Sequence, residues 1–377
     1  MAETGSPVNL TAPFPAEWQA RQSTIDGDTE IVTGPIREVG NHRELLDQFG
    51  YDPAEFEIAG TVNQWRKQQP DGTWLVSYFF KVQPLEARLD LPALYAAATT
   101  RKPKPPIKAT PTGRITVVAL SDVQAGKTGS RGGTPELIDR LAEKREKLAT
   151  ELRRRKPTST VLAEGGDAFE GFENVASQMF TNDLSLAQQM DLVGTEIFEF
   201  IQVMHRHGHV EVGAVTSNHT AWRRGKDTLG RPADDLGLFV HRQVAKVTKA
   251  AGMDVAWTVP AEYDESVLLD VNGTGLGIVH GNQYRPGRAI DWWAKQTHGG
   301  QPVGAADILL GSHYHHLHIQ PTGRNPYTGR TKWFIQCPTL DNGSDWFRNT
   351  AGEDSDPGLL IFDITEDGFD LQSLTVL

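Results

Sequence analysis

Cysteine is all but missing: Cys337 is the single thiol in 377 residues. A lone cysteine closes no intramolecular disulfide, so a disulfide framework is excluded and a reducing, cytoplasmic setting is expected, with Cys337 as inert packing. Cations are outnumbered, 37 Lys and Arg against 48 Asp and Glu, for a net charge of −11. That balance argues against a surface built to coat nucleic acid but leaves room for a local basic patch. No apolar run approaches the roughly 18 residues of a membrane span, and the amino terminus lacks the basic-then-apolar order of a signal peptide. No membrane partner is expected. What is present is 38% hydrophobic residues, enough for a sizeable core over a length suited to two domains, or to one large domain with an appendage.

Taken in order, residues 1–35 are rich in Thr, Pro, Gly and Ala without periodicity and read as a mobile arm. Residues 36–96 read as a small α+β module of one helix and a hairpin. Leu45, Leu46 and Phe49 mark the helix, and strand-like runs over 56–66 and 73–82 flank the turn signal Pro70-Asp71-Gly72. The aromatics Trp65, Trp74, Tyr78, Phe79 and Phe80 form either the core of that module or a base-stacking face. Residues 97–112, with Arg101, Lys102, Lys104 and Lys108 among repeated prolines, read as a semi-rigid basic linker, either an ordinary solvated spacer or a contact for phosphates. From 113 to 377 strands alternate with amphipathic helices: strands at 115–120, 160–163 and 210–216, helices at 135–155, 184–207 and 234–251. Later segments lean to strand, at 266–271, 275–280, 307–310, 331–336, 358–364 and 369–376. The pattern predicts a layered α/β domain with a β-rich second half.

The chemistry is densest at Gly311-Ser312-His313-Tyr314-His315-His316-Leu317-His318, directly after the apolar run Ile308-Leu309-Leu310. A strand closed by Gly-Ser holds such imidazoles close enough to share a metal ion, the alternative being a polar loop with incidental histidines. Other residues of metal-ligand type also follow apolar runs: Ser121-Asp122-Val123-Gln124, Gly165-Gly166-Asp167, Ser217-Asn218-His219 and Val279-His280-Gly281. Open α/β sheets gather ligands at the carboxyl ends of their strands, so five strand ends are expected to converge on one site.

In this order the motifs resemble those of the calcineurin-like metallophosphoesterase family, whose series runs Asp-x-His, Gly-Asp, Gly-Asn-His, His and Gly-His-x-His. The resemblance covers about 113–320 and implies a four-layer α/β/β/α sandwich around two divalent ions. Matched residue by residue, it places Asp122 and His315 on the first ion, Asp167 between both, and Asn218, His280 and His313 on the second. His219 matches the histidine that approaches the scissile phosphate, and Asp167 and His219 are the implied catalytic pair. Gln124 stands where the first motif has histidine, a substitution shared with a branch resembling manganese-dependent ADP-ribose and CDP-alcohol pyrophosphatases. An amide oxygen is a harder and weaker donor than imidazole, so a looser first site and a preference for Mn²⁺ over Fe, Zn, Ni or Mg are expected. Thr220 replaces the acid that often follows Asn-His, removing a partner that would orient His219. The last motif is one residue longer before its first histidine, and His313 and His315 keep the required one-residue separation, leaving His316 and His318 outside.

Such a centre would attract a phosphodiester and activate a water for in-line attack at phosphorus, with His219 serving the leaving oxygen. Arg223, Arg224, Arg285 and Arg288 flank the motifs, and contact with substrate is expected of them. The layout resembles phosphoesterases of actinobacterial phages. With the basic linker and the aromatic module, it favours nucleic acid as substrate and a nuclease similar to the Mre11/SbcD branch. Gln124 and the acidic charge favour a small-nucleotide phosphodiesterase or pyrophosphatase. A third reading makes the chain a binding adaptor on a degenerate phosphoesterase fold.

Overall fold

Alternation along the strand Ile115–Leu120 divides the protein into faces: Val118 and Leu120 look one way, Val117 and Ala119 the other, and all are buried. The computed structural model describes residues 21–25, 28–32, 36–37, 41–68, 74–84, 113–173, 178, 180–225, 227–344, 348–349 and 355–377. Its chain divides into two units, Met1–Arg88 and Leu89–Leu377. The turn signal at 70–72 and the basic linker at 97–112 lie outside the described residues.

In the first unit, β1 (Arg21–Ile25), β2 (Asp28–Val32), β3 (Ile36–Arg37), β4 (Phe56–Gln68) and β5 (Trp74–Pro84) form one antiparallel sheet in which β5 pairs with β2, β3 and β4. β1 and β2 fall within the stretch expected as an arm. Ile31 pairs with Phe80 and is buried with it, which ties that stretch to the sheet. Helix α1 (His42–Gln48) starts at Asn41, whose Oδ1 accepts the Glu44 N–H at 3.0 Å. Its Leu45 and Leu46 share a core with Val76, Tyr78, Phe80 and Val82. Tyr78 and Phe80 are therefore packing residues, whereas Trp65 and Trp74 are 61% and 48% exposed. Trp65 stands opposite Ser77 and Trp74 opposite Gln68, so strand alternation puts the two indoles on opposite faces and leaves no common stacking platform.

In the second unit the order is β6 (Ile115–Leu120), α2 (Thr134–Arg155), β7 (Ser159–Glu164), α3 (Leu186–His205), β8 (Val210–Ala214), the hairpin β9 (Arg223–Arg224) and β10 (Asp227–Thr228), and α4 (Leu236–Ala250). There follow β11 (Val255–Thr258), β12 (Ser266–Val271), β13 (Thr274–Val279), α5 (Ala289–His298), a 3₁₀ turn at Pro302–Ala305, β14 (Ile308–Gly311), β15 (His318–Arg324), β16 (Thr331–Gln336), β17 (Leu360–Thr365) and β18 (Gly368–Val376). The architecture is mixed α/β, as the sequence predicts. One sheet has the order β11-β8-β7-β6-β17-β18 and the other β12-β13-β14-β16-β15. Within them β11, β8, β7 and β6 run parallel, as do β13, β14 and β16.

Helices begin where capping chemistry allows. Ser185 and Gln188 form a capping box at α3, and Asp235 caps α4 through the Leu238 N–H at 2.9 Å. Leu141 and Leu148 of α2, Phe200 of α3 and Val244 of α4 bury against Val118, Leu162 and Val212 on one face of the first sheet. The other face meets the second sheet through Val117, Val161, Phe362, Ile278, Leu310 and Ile335. Trp293 of α5 packs with Leu309 and Phe334 on the far face of the second sheet. No helix among the described residues is long and apolar enough to cross a membrane.

Candidate metal centre

The parallel strands β6, β7, β8, β13, β14 and β16 deliver their carboxyl-terminal loops to one place. The loop after β6 is laced to the loop after β7 by Gln124 N–H donating to Asp167 O (2.9 Å) and Ala125 N–H to Ala168 O (3.1 Å). Gly165 and Gly166 let the loops of both sheets close on each other. A Cβ at Gly165 would lie 1.9 Å from Ser312 Oγ, and one at Gly166 (φ +87°) would lie 2.6 Å from Ser217 Cβ and 2.9 Å from His280 Nδ1. Among the described residues, the non-glycine positions with positive φ are Asp122, Gln124, Asp167, His313 and His315, together with Lys156 after α2 and Asn272 in the β12–β13 turn. Five of those seven, named from the sequence as metal ligands, share a backbone conformation that L-residues adopt at a cost, a mark of functional loops.

Asp122 and Asp167 are fully buried carboxylates. Asp122 Oδ2 accepts from Ser121 Oγ and from the His313 N–H, while Oδ1 has no hydrogen-bond donor and lies 3.4 Å from His315 Nε2. Asp167 Oδ1 accepts the His219 N–H at 3.0 Å. Its Oδ2 lies 3.1 Å from His280 Nε2 and 3.7 Å from His219 Nε2 without hydrogen-bond geometry to either. Burial works against ionisation of both acids, but the surrounding imidazoles prevail, His315 for Asp122 and His219 with His280 for Asp167, and hold them below the ordinary carboxylate range.

His280 Nδ1 lies 2.8 Å from Gly165 O, which only accepts, so Nδ1 carries a proton and Nε2 faces the centre, 2.9 Å from Asn218 Oδ1. Burial opposes its charge, yet Asp167 and Asp122 push it up to about 9. His313 shows the opposite balance: burial and the neighbouring His280, 5.0 Å away ring to ring, lower it to about 4 and leave it neutral. Asp167, His280 and His313 each offer a ligand atom, and these lie within 4.8 Å of one another. His219, against burial, is raised to about 9 by Asp167 and by Glu170, whose Oε2 and backbone O lie 3.2 and 2.9 Å from His219 Nδ1. Thr220 is occupied elsewhere, its hydroxyl donating to Asp235 Oδ2 at 2.7 Å, and Asp235 also accepts the Ser217 N–H at 3.2 Å. An acid from the next helix thereby holds the Asn218-His219 turn, while Glu170 orients the imidazole.

Three contributors to the centre were not singled out in the sequence. Glu170 follows Asp167 by three residues on the same loop. Asp341, buried after β16, lies 3.4 Å from His315 Nδ1. Lys127 Nζ donates to both Asp341 Oδ2 (2.6 Å) and Gln124 Oε1 (2.5 Å). Asp341 carried only a weak signal, since Asp341-Asn342-Gly343 is separated from the apolar run Trp333-Phe334-Ile335 by residues 336–340. His316 turns away to Tyr314 O at 2.8 Å, and His318 is exposed. Of the four arginines, Arg223 donates to Asn218 O at 2.9 Å and braces the ligand loop. Arg288 pairs with Asp291 on the surface at 2.9 Å, and Arg224 and Arg285 are exposed.

No family model matches this sequence, and no curated protein matches it. Among solved structures it is similar to a novel phosphatase from Mycoplasma pneumoniae, at a TM-score of 0.30 and 11% identity over 70% of this chain and 92% of that one. It is similar to a putative 5'-nucleotidase from Staphylococcus aureus crystallised with alpha-ketoglutarate, at 0.31 and 12% over 70% and 54%. A third similarity is to PhoD, at 0.33 and 8% over 94% and 86%. Likenesses this low carry no argument about function.

Proposed function

We propose that this chain is a metal-dependent phosphoester hydrolase on a four-layer α/β/β/α metallophosphoesterase sandwich. The observation that carries the reading is the cluster of Asp167, His280 and His313, whose ligand atoms lie within 4.8 Å of one another around a buried, ionised carboxylate. Without metal the raised His280 imidazole balances that carboxylate, and a divalent ion would take over the same charge by displacing the Nε2 proton. Asp167, His280, His313 and Asn218 fit one divalent ion: a bridging-type carboxylate, two imidazoles and an amide oxygen. Asp122 Oδ1 and His315 Nε2 offer donors for a second, and the carboxylate and amide oxygens beside the imidazoles keep Mn²⁺ as the proposed ion.

When bound, the metal supplies Lewis acidity toward phosphorus and an activated water. The chain's own groups do the rest. His219 presents Nε2 to the centre while Nδ1 is held by Glu170, so a proton on Nε2 is aimed at a leaving oxygen. Asp167 fixes the His219 backbone through the 3.0 Å bond to its N–H, coupling the position of the acid to the metal ligand. Asn218, braced by Arg223, supplies a polar edge beside His280.

For the substrate we propose a phosphodiester, with nucleic acid placed first because exposed Arg224 and Trp222, 55% exposed, follow the His219 loop. The test sets plasmid, single-stranded DNA and bis-p-nitrophenyl phosphate side by side with Mn²⁺. Cleavage of all three, lost in Asp167→Asn, is the expected result. Cleavage of the small diester alone would transfer the reading to a nucleotide phosphodiesterase, and no metal uptake with no cleavage would leave the adaptor.

A further inference from the structure

Lys127 lies where a two-ion centre has no need of it. Its side chain is 12% exposed, and its ammonium donates to Gln124 Oε1 at 2.5 Å and to the fully buried Asp341 at 2.6 Å. The loop that carries it is fixed, since Lys127 N–H donates to Gln124 O (3.0 Å) and Asn342 Nδ2 donates to Lys127 O (2.8 Å). The amide oxygen that stands at the first ion's position in the motif series therefore already serves a cation. An ion seated on that oxygen would share it with a positive charge, and an amide oxygen is a weak ligand to begin with. Asp341 is likewise spent: Oδ2 takes the ammonium, and Oδ1 accepts the Gly343 N–H at 3.0 Å. With Asp167 Oδ1 taken by the His219 N–H, what this side offers is Asp122 Oδ1 and His315 Nε2, 3.4 Å apart, too few donors to hold a divalent ion firmly.

Resting on the metal-dependent reading above, we infer that Lys127 is the resident cation of the first half of the centre: the protein retains one divalent ion, on Asp167, His280, His313 and Asn218, and the Lys127 ammonium stands in for the charge of a second. Gln124 is then a lysine acceptor, and its exchange for histidine in this position follows from its partner, because a neutral imidazole nitrogen bound to metal has no lone pair left for an ammonium.

The experiment is metal analysis of the full chain after loading with Mn²⁺ and removal of free ion, with the electron paramagnetic spectrum of the same sample. Wild type should hold one ion per chain and give the spectrum of an isolated Mn²⁺, and Lys127→Ala should gain a second ion and exchange coupling. Lys127→Gln, which keeps most of the side-chain volume, serves if the alanine variant does not fold, and Lys127→Arg should remain at one ion. Two retained, coupled ions in wild type would overturn the inference and leave the hydrolase reading standing, as would one ion in every variant. No retained ion in wild type would sink both.

Discussion

Removing metal should uncover a pH dependence of stability in which the Asp167 carboxylate has the largest share. In the metal-free centre His219 and His280 are both held up at about 9, against about 6.5 in an unfolded chain. A group whose folded pKa is raised gives stability that is fully present below the unfolded value and lost as pH climbs through the folded one, so the window runs from about 6.5 to about 9. One pKa unit corresponds to about 1.4 kcal/mol. Both rings draw on the same Asp167 carboxylate, so their contributions overlap and the loss across the window is on the order of 3 kcal/mol, roughly 5 °C in melting temperature for a unit of this size. Asp235, raised to about 6, titrates below the window, His313, lowered to about 4, acts only on its acid side, and the Cys337 thiol, pushed up by burial, adds a loss only at the alkaline end. The assay is calorimetric melting of the chelator-treated chain from about pH 6 to about pH 9.5, in wild type and Asp167→Asn. The mutant should melt with a shallower slope, since the charge common to both imidazoles is gone while Glu170 still raises His219 and Asp122 still raises His280. A level wild-type profile, or an undiminished slope in the mutant, would refute the assignment. Added Mn²⁺ should stabilise wild type more at high pH than at low, because ligation requires His280 Nε2 without its proton.

Three further outcomes follow from the geometry. His219→Gln should cost little with p-nitrophenolate as leaving group and about 10²-fold or more in kcat with an alkoxide; equal losses on both would make His219 a positioning group. Gly166→Ala should destabilise the fold by about 3 kcal/mol and lower metal retention, because a Cβ at φ +87° meets Ser217 and His280; unchanged melting and metal content would count against the described loop closure. A chain beginning near Pro111 keeps every ligand and should still cleave a small diester. If Arg101, Lys102, Lys104 and Lys108 feed a polynucleotide to the centre, that chain should lose DNA affinity and shed up to about four units of salt slope, and DNA cleavage at two salt concentrations reads this directly.

That the candidate residues would meet was legible because each stands just past an apolar run and parallel strands finish at one edge, as Asp122 after β6 and His313 after β14 illustrate. The ligands' partners were not. Lys127 and Asp341 are 214 residues apart, and nothing in local spacing predicts that pairing. Asp235 supports Thr220 from a different element, so the missing acid after Asn218-His219 reads as a gap although the fold fills it. In the fold, β11 is too short to announce itself, and β15 carries Pro321 on a sheet edge, where a missing N–H is tolerated but the strand pattern is blurred. Helix α5 escapes the periodicity because its two tryptophans sit side by side. The arginines show the same limit from the substrate side: sequence marks them as cations near the motifs, and only the structure tells Arg223, spent on Asn218 O, from Arg224, which is exposed.

The left-handed backbone at Asp122, Gln124, Asp167, His313 and His315 sets two demands on the same positions. Chain geometry there asks for glycine or asparagine, while the chemistry asks for carboxylate, amide and imidazole. A sequence designed for this backbone by conformational comfort alone would fold with less strain and erase the centre. Fold stability and side-chain identity thus pull against each other at five loop positions, and variants selected only for heat resistance would be expected to lose the candidate metal centre before they lose the sheets.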